Sequence, residues 1–215
     1  MTARFVVPAD AGVFLGRLSR LDPEALVRLR PAGPDRTALW ARLPWGVLVT
    51  REVGAAVSAD LTVGAADLLA AEPGRLPPRR DREWRWPLPP HPGEALEEIP
   101  ARKLAAVAAA AAGTLREVAE TGLAGRPVGS RVLREALLDH VAIVVEPGPG
   151  GTGTVEVPQR LVQGVVRMGF LGRVTDATAR VQVRRAERWV GLAARYGTGW
   201  LPPPGPLRVR PVARP

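Results

Sequence analysis

The 215-residue sequence predicts an α+β fold: an N-terminal antiparallel β-meander with one or two helices, then a helix-rich second half ending in a β-hairpin. Three observations carry this. Ala25–Arg30, Thr37–Leu43 and Val47–Val53 are short alternating runs separated by turn residues, PAGPD and Pro44-Trp45-Gly46, the pattern of consecutive strands with one buried face. Ile99–Gly122 is a long alanine- and leucine-rich stretch with apolar residues three and four apart, the period of a helix. Ala179–Arg185 and Arg188–Tyr196 are two further alternating runs joined at Ala186-Glu187, which reads as a hairpin lacking an Asn-Gly or Asp-Gly turn.

The remaining elements follow in chain order. Arg4–Val7 reads as a short strand, and Pro8 leads into a helix over Ala9–Arg20, with Phe14, Leu18 and Leu21 on one side. Asp22-Pro23 ends that helix, because the residue before proline avoids the helical region. In the second strand Leu39, Ala41 and Leu43 share one face, and Trp40 and Arg42 the other. Ala65–Glu72 reads as a short helix ended by Pro73-Gly74. In the long helix, Pro100 suits the first turn and Gly122 the stop. With no charge between Leu104 and Leu115, that helix is expected to be surrounded by other elements. Glu94, Glu97 and Glu98 precede it, where negative charge suits the helix dipole. Gly129–His140 reads as a second helix capped by Ser130, Val141–Glu146 as a buried strand, and Pro158–Phe170 as a third helix. Val7-Pro8 followed by Phe14-Leu15-Gly16-Arg17 is echoed by Val157-Pro158 followed by Phe170-Leu171-Gly172-Arg173. The spacings differ, so the echo reads as coincidence.

Four segments result: an α+β domain over 1–73, a Pro/Arg/Trp-rich linker over 74–93, a helical α+β domain over 94–200 and a Pro/Arg-rich tail over 201–215. The linker is extended by composition. Trp84 and Trp86, two apart, point the same way and pin it to a groove. Alternatively, with Arg82 and Arg85, they present a stacking ribbon for nucleic acid.

Several function classes drop out. The chain has no cysteine, which excludes disulfides, thiolate nucleophiles and thiolate metal sites. No uncharged run approaches the ~20 residues of a membrane span, and the N-terminus lacks a signal-peptide pattern, so a cytoplasmic protein with no membrane partner is expected. Gly148, Gly150 and Gly153 satisfy G-x-G-x-x-G, but β-like residues and Pro158 follow, where a dinucleotide site opens a helix directly. Neither His91 nor His140, nor any of Ser19, Ser58 and Ser130, has a catalytic setting. The chain reads as non-enzymatic, without cofactor, metal or catalytic residues.

Charge is the informative anomaly. From Val157 onward there are eleven arginines and two acids, Asp176 and Glu187, so this segment carries the whole net charge of +9. On the third helix Arg160, Gln163 and Arg167 form a polar stripe. On the hairpin Val181, Val183, Val190 and Leu192 share one face, and Arg180, Gln182, Arg184, Trp189 and Arg195 the other, with Arg185 and Arg188 adding charge. A basic helix followed by a basic hairpin with an aromatic suits phosphates, and its order loosely resembles the helix-then-wing layout of winged-helix proteins. A strand and a glycine loop, however, stand where that fold has a short turn. The expected nucleic-acid-binding residues are therefore Arg160, Gln163, Arg167, Arg180, Arg184, Arg185, Arg188, Trp189 and Arg195. The leading expectation is a non-enzymatic nucleic-acid-binding or regulatory protein. The alternative is a protein-interaction or scaffold subunit meeting an acidic partner through this face. A third reading is a small enzyme or ligand-binding protein with a pocket between the halves.

Overall fold

Pro8 opens the described fold: its ring fixes φ at −70° and ψ is 159°, an extended N-cap from which α1 (Ala9–Leu21) starts. The structure is a computed structural model, and it describes residues 6–121, 130–146, 153–173 and 175–203. Ala11, Phe14, Leu15 and Leu18 form the buried stripe of α1, and the chain leaves the helix at Asp22, ahead of Pro23. The predicted meander follows as β1 (Leu26–Pro31), β2 (Thr37–Arg42) and β3 (Leu48–Val53), paired antiparallel. β4 (Leu61–Gly64), buried along its whole length, pairs with the free side of β1 and runs into the short α2 (Ala65–Ala70).

After a proline-rich stretch containing a 3₁₀ turn at Asp81–Glu83 come β5 (Glu94–Pro100), α3 (Ala101–Thr121) and α4 (Ser130–Asp139). Then follow β6 (Val141–Val145), β7 (Val155–Pro158), α5 (Gln159–Arg167), β8 (Arg180–Ala186), β9 (Trp189–Ala194) and β10 (Gly197–Leu201). β6 and β7 make a two-stranded ribbon. The other strands form one antiparallel sheet in the order β4-β1-β2-β3-β10-β9-β8-β5. The predicted α+β class is therefore the observed one.

The two halves share this sheet. β10 pairs with β3 across the middle, with Trp200 opposite Leu48, Gly199 opposite Val49 and Thr198 opposite Thr50. One face, carrying Val27, Leu29, Leu39, Ala41, Val49, Val181, Val183 and Leu192, packs with residues of α1, α2, α3 and α5 into a single core. The other face carries a smaller cluster of Leu48, Ala186, Trp189 and Trp200, against which Trp84, Trp86 and Leu88 of the proline-rich stretch pack. That stretch is thus a strap pinned by its two tryptophans. Their rings meet edge to face at 5.2 Å, and Trp84 Nε1 donates to the Trp86 carbonyl. Arg28 lies over Trp84 and Arg42 over Trp86.

Four expectations need correction. α3 is not surrounded: Ala101, Leu104 and Ala108 are buried, while Ala109, Ala110 and Ala112 are exposed. Alanine favours helix by propensity alone, so it marks α3 without saying how deeply the helix is buried. β6 is not a buried strand, for among the described residues it pairs only with β7, and Val144 is 55% exposed. α5 ends at Arg167 rather than Phe170, because Gly169 at φ +71° reverses the chain and returns the Phe170 N–H to the Val165 carbonyl. Glu94, Glu97 and Glu98 lie in the edge strand β5 rather than serving a helix terminus. That strand runs along basic β8, with Glu98 opposite Gln182 and Glu94 opposite Arg185. The predicted hairpin is present as β8 and β9, and β10 extends it into a second meander. α5 packs on its apolar side, so hairpin and helix are not a wing beside a recognition helix.

Some expectations fall outside the described residues: most of the Arg4–Val7 strand, Gly148 and Gly150 of the glycine loop, Gly122, and all but the start of the 201–215 tail. The cap assigned to the Ser130 side chain falls outside them as well.

Candidate interaction site

The β2–β3 turn, Pro44-Trp45-Gly46, projects Trp45 toward the start of α5. Trp45 Nε1 donates to the Arg160 carbonyl at 3.0 Å, and Arg160 Nη1 donates back to the Trp45 carbonyl at 3.0 Å. This reciprocal latch ties the first half to the second. Arg160 also forms an ion pair with Asp139 at the end of α4. The Arg167 guanidinium sits 5.4 Å from the centre of the Trp45 ring, a cation–π distance. Gln163 reaches the other way and donates to the Ala108 carbonyl of α3 at 3.1 Å.

Between α3, α4, α5 and Trp45 lies an open groove of about 260 Å³. Ala111, Ala112 and Leu115 of α3 form one wall and Leu137 and Leu138 of α4 the facing one. Gln159 and Gln163 lie at the α5 side, and Arg116, Arg134 and Arg167 stand at the margin. The groove opens into a wider cleft of about 890 Å³, which adds Arg20, Arg42 and Arg160 together with two acids, Glu135 and Asp139. Arg42 and Arg160 converge there: a Cβ on Gly46 would lie 3.4 Å from one guanidinium and 3.8 Å from the other. Since Asp139 is paired with Arg160, positive charge dominates the rim.

Gln159 is the most unusual group in this wall. It is 3% exposed, and its Nε2 has no hydrogen-bond partner among the described residues. A buried donor left in that condition costs on the order of 1–3 kcal/mol.

The residues expected to bind nucleic acid are divided by the sheet. Arg160, Gln163 and Arg167 come together at α5, on its helix-covered face. Arg180, Arg184 and Trp189 belong to the opposite face. Trp189 is 7% exposed and packs with Leu48 and Trp200, so it is a core residue and not a stacking platform. Arg184 is spent on structure, donating to Gln182 Oε1 and to the Pro92 carbonyl of the strap. Arg185 lies 3.9 Å from Glu94 on the edge strand, and Arg180 donates to the Ala177 and Ala179 carbonyls. Arg188, in the β8–β9 turn, and Arg195 are exposed. Arg195 lies 3.7 Å from Asp176, whose carboxyl is held below its ordinary range chiefly by hydrogen bonds from Thr178. The sequence-level pattern thus finds the α5 half of the site and misses Trp45, Leu115, Arg134, Leu137, Leu138 and Gln159. The available signal was Trp45, a large aromatic between two turn residues.

Among the described residues no cluster of His, Asp or Glu has the grouping of a metal site, and no helix is long and apolar enough to cross a membrane.

A family model for a domain of unknown function, DUF8185, matches residues 88–206, more than half of the chain. The chain belongs to the DUF8185 family. A second model, for a domain of unknown function, DUF8010, matches residues 4–82. The DUF8185 span supplies every helical wall of the groove, and the preceding DUF8010 span supplies Trp45. No curated protein matches the sequence. Among solved structures, this DUF8185 protein is similar to DNA polymerase III subunit beta from Pseudomonas aeruginosa: 13% identity, TM-score 0.50, covering 95% of this chain and 67% of that one. A DnaN sliding clamp from the same organism, bound to griselimycin, gives 12% identity and a TM-score of 0.48 over 98% of this chain and 68% of that one. At such identities the likeness is one of fold alone.

Proposed function

We propose that this DUF8185 protein is a non-enzymatic interaction protein, a scaffold that holds a partner protein. The observation that carries this reading is the open apolar groove at Trp45 with its arginine-dominated rim. The fold likeness to DNA polymerase III subunit beta of Pseudomonas aeruginosa supports it, since that protein is by its name a subunit of a larger assembly. In this reading residues 1–73 and 94–200 are two halves of one platform, 74–93 is the strap across its back, and 201–215 is a basic tail. Affinity capture with the full-length protein from a lysate of its source organism, with and without nuclease, tests the reading. Partners retained after nuclease are expected, and loss of every partner on nuclease treatment would refute it.

A second reading, backbone contact with nucleic acid, is favoured by the exposure of Arg188 and Arg195 and by the DNA-associated protein that shares the fold. Anisotropy with labelled duplex DNA across a salt series checks it. Reversing Arg188 and Arg195 should weaken binding and flatten its salt dependence. Unchanged affinity removes the hairpin end from the surface.

A further inference from the structure

We propose that the groove between α3, α4, α5 and Trp45 is a docking site for an acidic peptide segment of a partner protein, one that carries a bulky apolar anchor. This rests on the interaction reading above and names its site and the chemistry of its occupant. Three independent features specify that chemistry. The walls are apolar: Leu115 faces Leu137 and Leu138 across about 260 Å³, room for a side chain of leucine or phenylalanine size. The margin is cationic, with Arg134 and Arg167 bordering both the groove and the wider cleft, so carboxylates flanking the anchor meet complementary charge. The buried Gln159 Nε2 lacks an acceptor among the described residues, and a turn of this lining side chain on binding offers it to a peptide carbonyl or carboxylate. A phosphate backbone would satisfy the arginines and leave the leucine-lined space unfilled, which favours a peptide over nucleic acid. The apolar groove is continuous with the wider cleft through Trp45, Leu115 and Leu138, so the anchor can be held while the flanking chain runs past Arg20 and Arg42.

The test uses full-length protein and a panel of fluorescein-labelled 12-residue peptides. One set places Leu or Phe anchors among Asp and Glu. A matched set replaces the acids with Lys and Arg. A 12-nucleotide single-stranded DNA serves as the third probe. Anisotropy should show the best acidic peptides binding at least tenfold more tightly than their basic counterparts. Arg134→Glu and Gln159→Leu should each weaken that binding at least fivefold, with Arg85→Glu on the strap as an unaffected control. Circular dichroism melts confirm that the variants fold. In a ¹⁵N spectrum the indole N–H signal of Trp45, assigned by Trp45→Phe, should shift on adding an acidic peptide. Should Gln159→Leu fail to fold, Arg134→Glu and the indole signal decide alone. Acidic peptides that bind no better than basic ones, variants that bind like wild type, or full displacement by the DNA would each overturn the proposal. Nuclease-resistant partners still captured by Arg134→Glu would leave the scaffold reading standing and remove only the groove. Loss of all partners with nuclease removes the scaffold reading itself.

Discussion

Replacing Trp200 with alanine tests whether strap and sheet form one packed layer. Trp200 is 3% exposed, in the strand that joins the two halves. Its ring fills space that two glycines leave open. A Cβ on Gly191 of β9 would lie 2.6 Å from the ring, and one on Gly93 at the end of the strap 2.8 Å. Removing the indole therefore empties a space bounded by β9, Leu48, Trp189 and the strap. Large aromatic truncations in a core cost about 3–5 kcal/mol, a large share of the roughly 5–15 kcal/mol that holds a typical domain folded. For a chain of this size each kcal/mol lowers Tm by about 2–4 °C, so a fall of roughly 6–20 °C is expected. Urea unfolding and calorimetry measure it. Limited trypsin digestion gives a second readout, because Arg79, Arg80, Arg82 and Arg85 all lie on the strap: cleavage there should accelerate well before global unfolding. Trp200→Phe should recover part of both effects. A stability loss under about 1 kcal/mol, with unchanged strap cleavage, would show that strap and sheet are not energetically coupled.

Further outcomes follow from the same contacts. Burial works to raise the Asp81 carboxyl, but hydrogen bonds from the Thr62 N–H and from Arg79 outweigh it and hold the group below its ordinary range. A depressed carboxyl stabilises the fold above its unfolded value, and this is lost as pH falls through the lower folded value. Strap protection from an acid-active protease should therefore fall below about pH 4, and Asp81→Asn should weaken the strap at neutral pH and remove that acid step. Gly199→Val puts a Cβ 2.9 Å from Val165 and 3.1 Å from Leu161. Overpacking of this kind costs about 1–3 kcal/mol or more, measured as a lower urea midpoint. Arg28 donates two hydrogen bonds to Asp60 at 2.7 and 2.9 Å, and Arg30 adds a third contact. With both partners partly exposed, a double-mutant cycle on Arg28 and Asp60 should give a coupling of only about 0.2–1 kcal/mol, reduced further by salt.

What was legible in the sequence was whatever repeats locally. β2 announced itself because its residues alternate between the core and the opposite face, and α1 because Phe14, Leu18 and Leu21 have helical spacing. β10 was hidden because Gly197 and Gly199 lower β propensity, and those glycines are there for a tertiary reason, since α5 presses on Gly199. β5 was hidden because an edge strand rich in glutamate has no apolar alternation, and its partner lies some eighty residues away. The same distance explains the charge anomaly in part: three of the eleven arginines after Val157, Arg180, Arg184 and Arg185, lie in β8, beside acidic β5. The groove was illegible because its walls come from four separated segments, and Leu115, Leu137 and Trp45 share no period.

The echo that reads as coincidence has a geometric counterpart. Pro8 and Pro158 both stand at N-caps with φ −70° and ψ above 150°. Each helix they start leads into a three-stranded meander, and the last strands of the two meanders, β3 and β10, pair antiparallel at the centre of the sheet. Phe14 and Phe170 stack across this seam with ring centres 6.3 Å apart and planes 4° from parallel. The Phe-Leu-Gly-Arg part of the echo is not equivalent, for Phe14 lies inside α1 and Phe170 beyond the end of α5. The two halves therefore share a scaffold and differ in what is added to it. The second half inserts α3, α4, β6 and β7 between its edge strand and α5, with no counterpart among the described residues before α1. The groove is built from that insertion, where α3 and α4 lean on α5 and Trp45 reaches in from the other half. The repeated part of the chain makes the platform, and the part that breaks the repeat makes the surface with a buried, unsatisfied donor and an arginine-dominated rim. Shortening α4 so that Leu137 and Leu138 are lost should therefore abolish acidic-peptide binding while the sheet, read by the indole N–H signals of Trp189 and Trp200 in a ¹⁵N spectrum, stays folded. Loss of those signals together with binding would mean that the insertion supports the platform rather than adding to it.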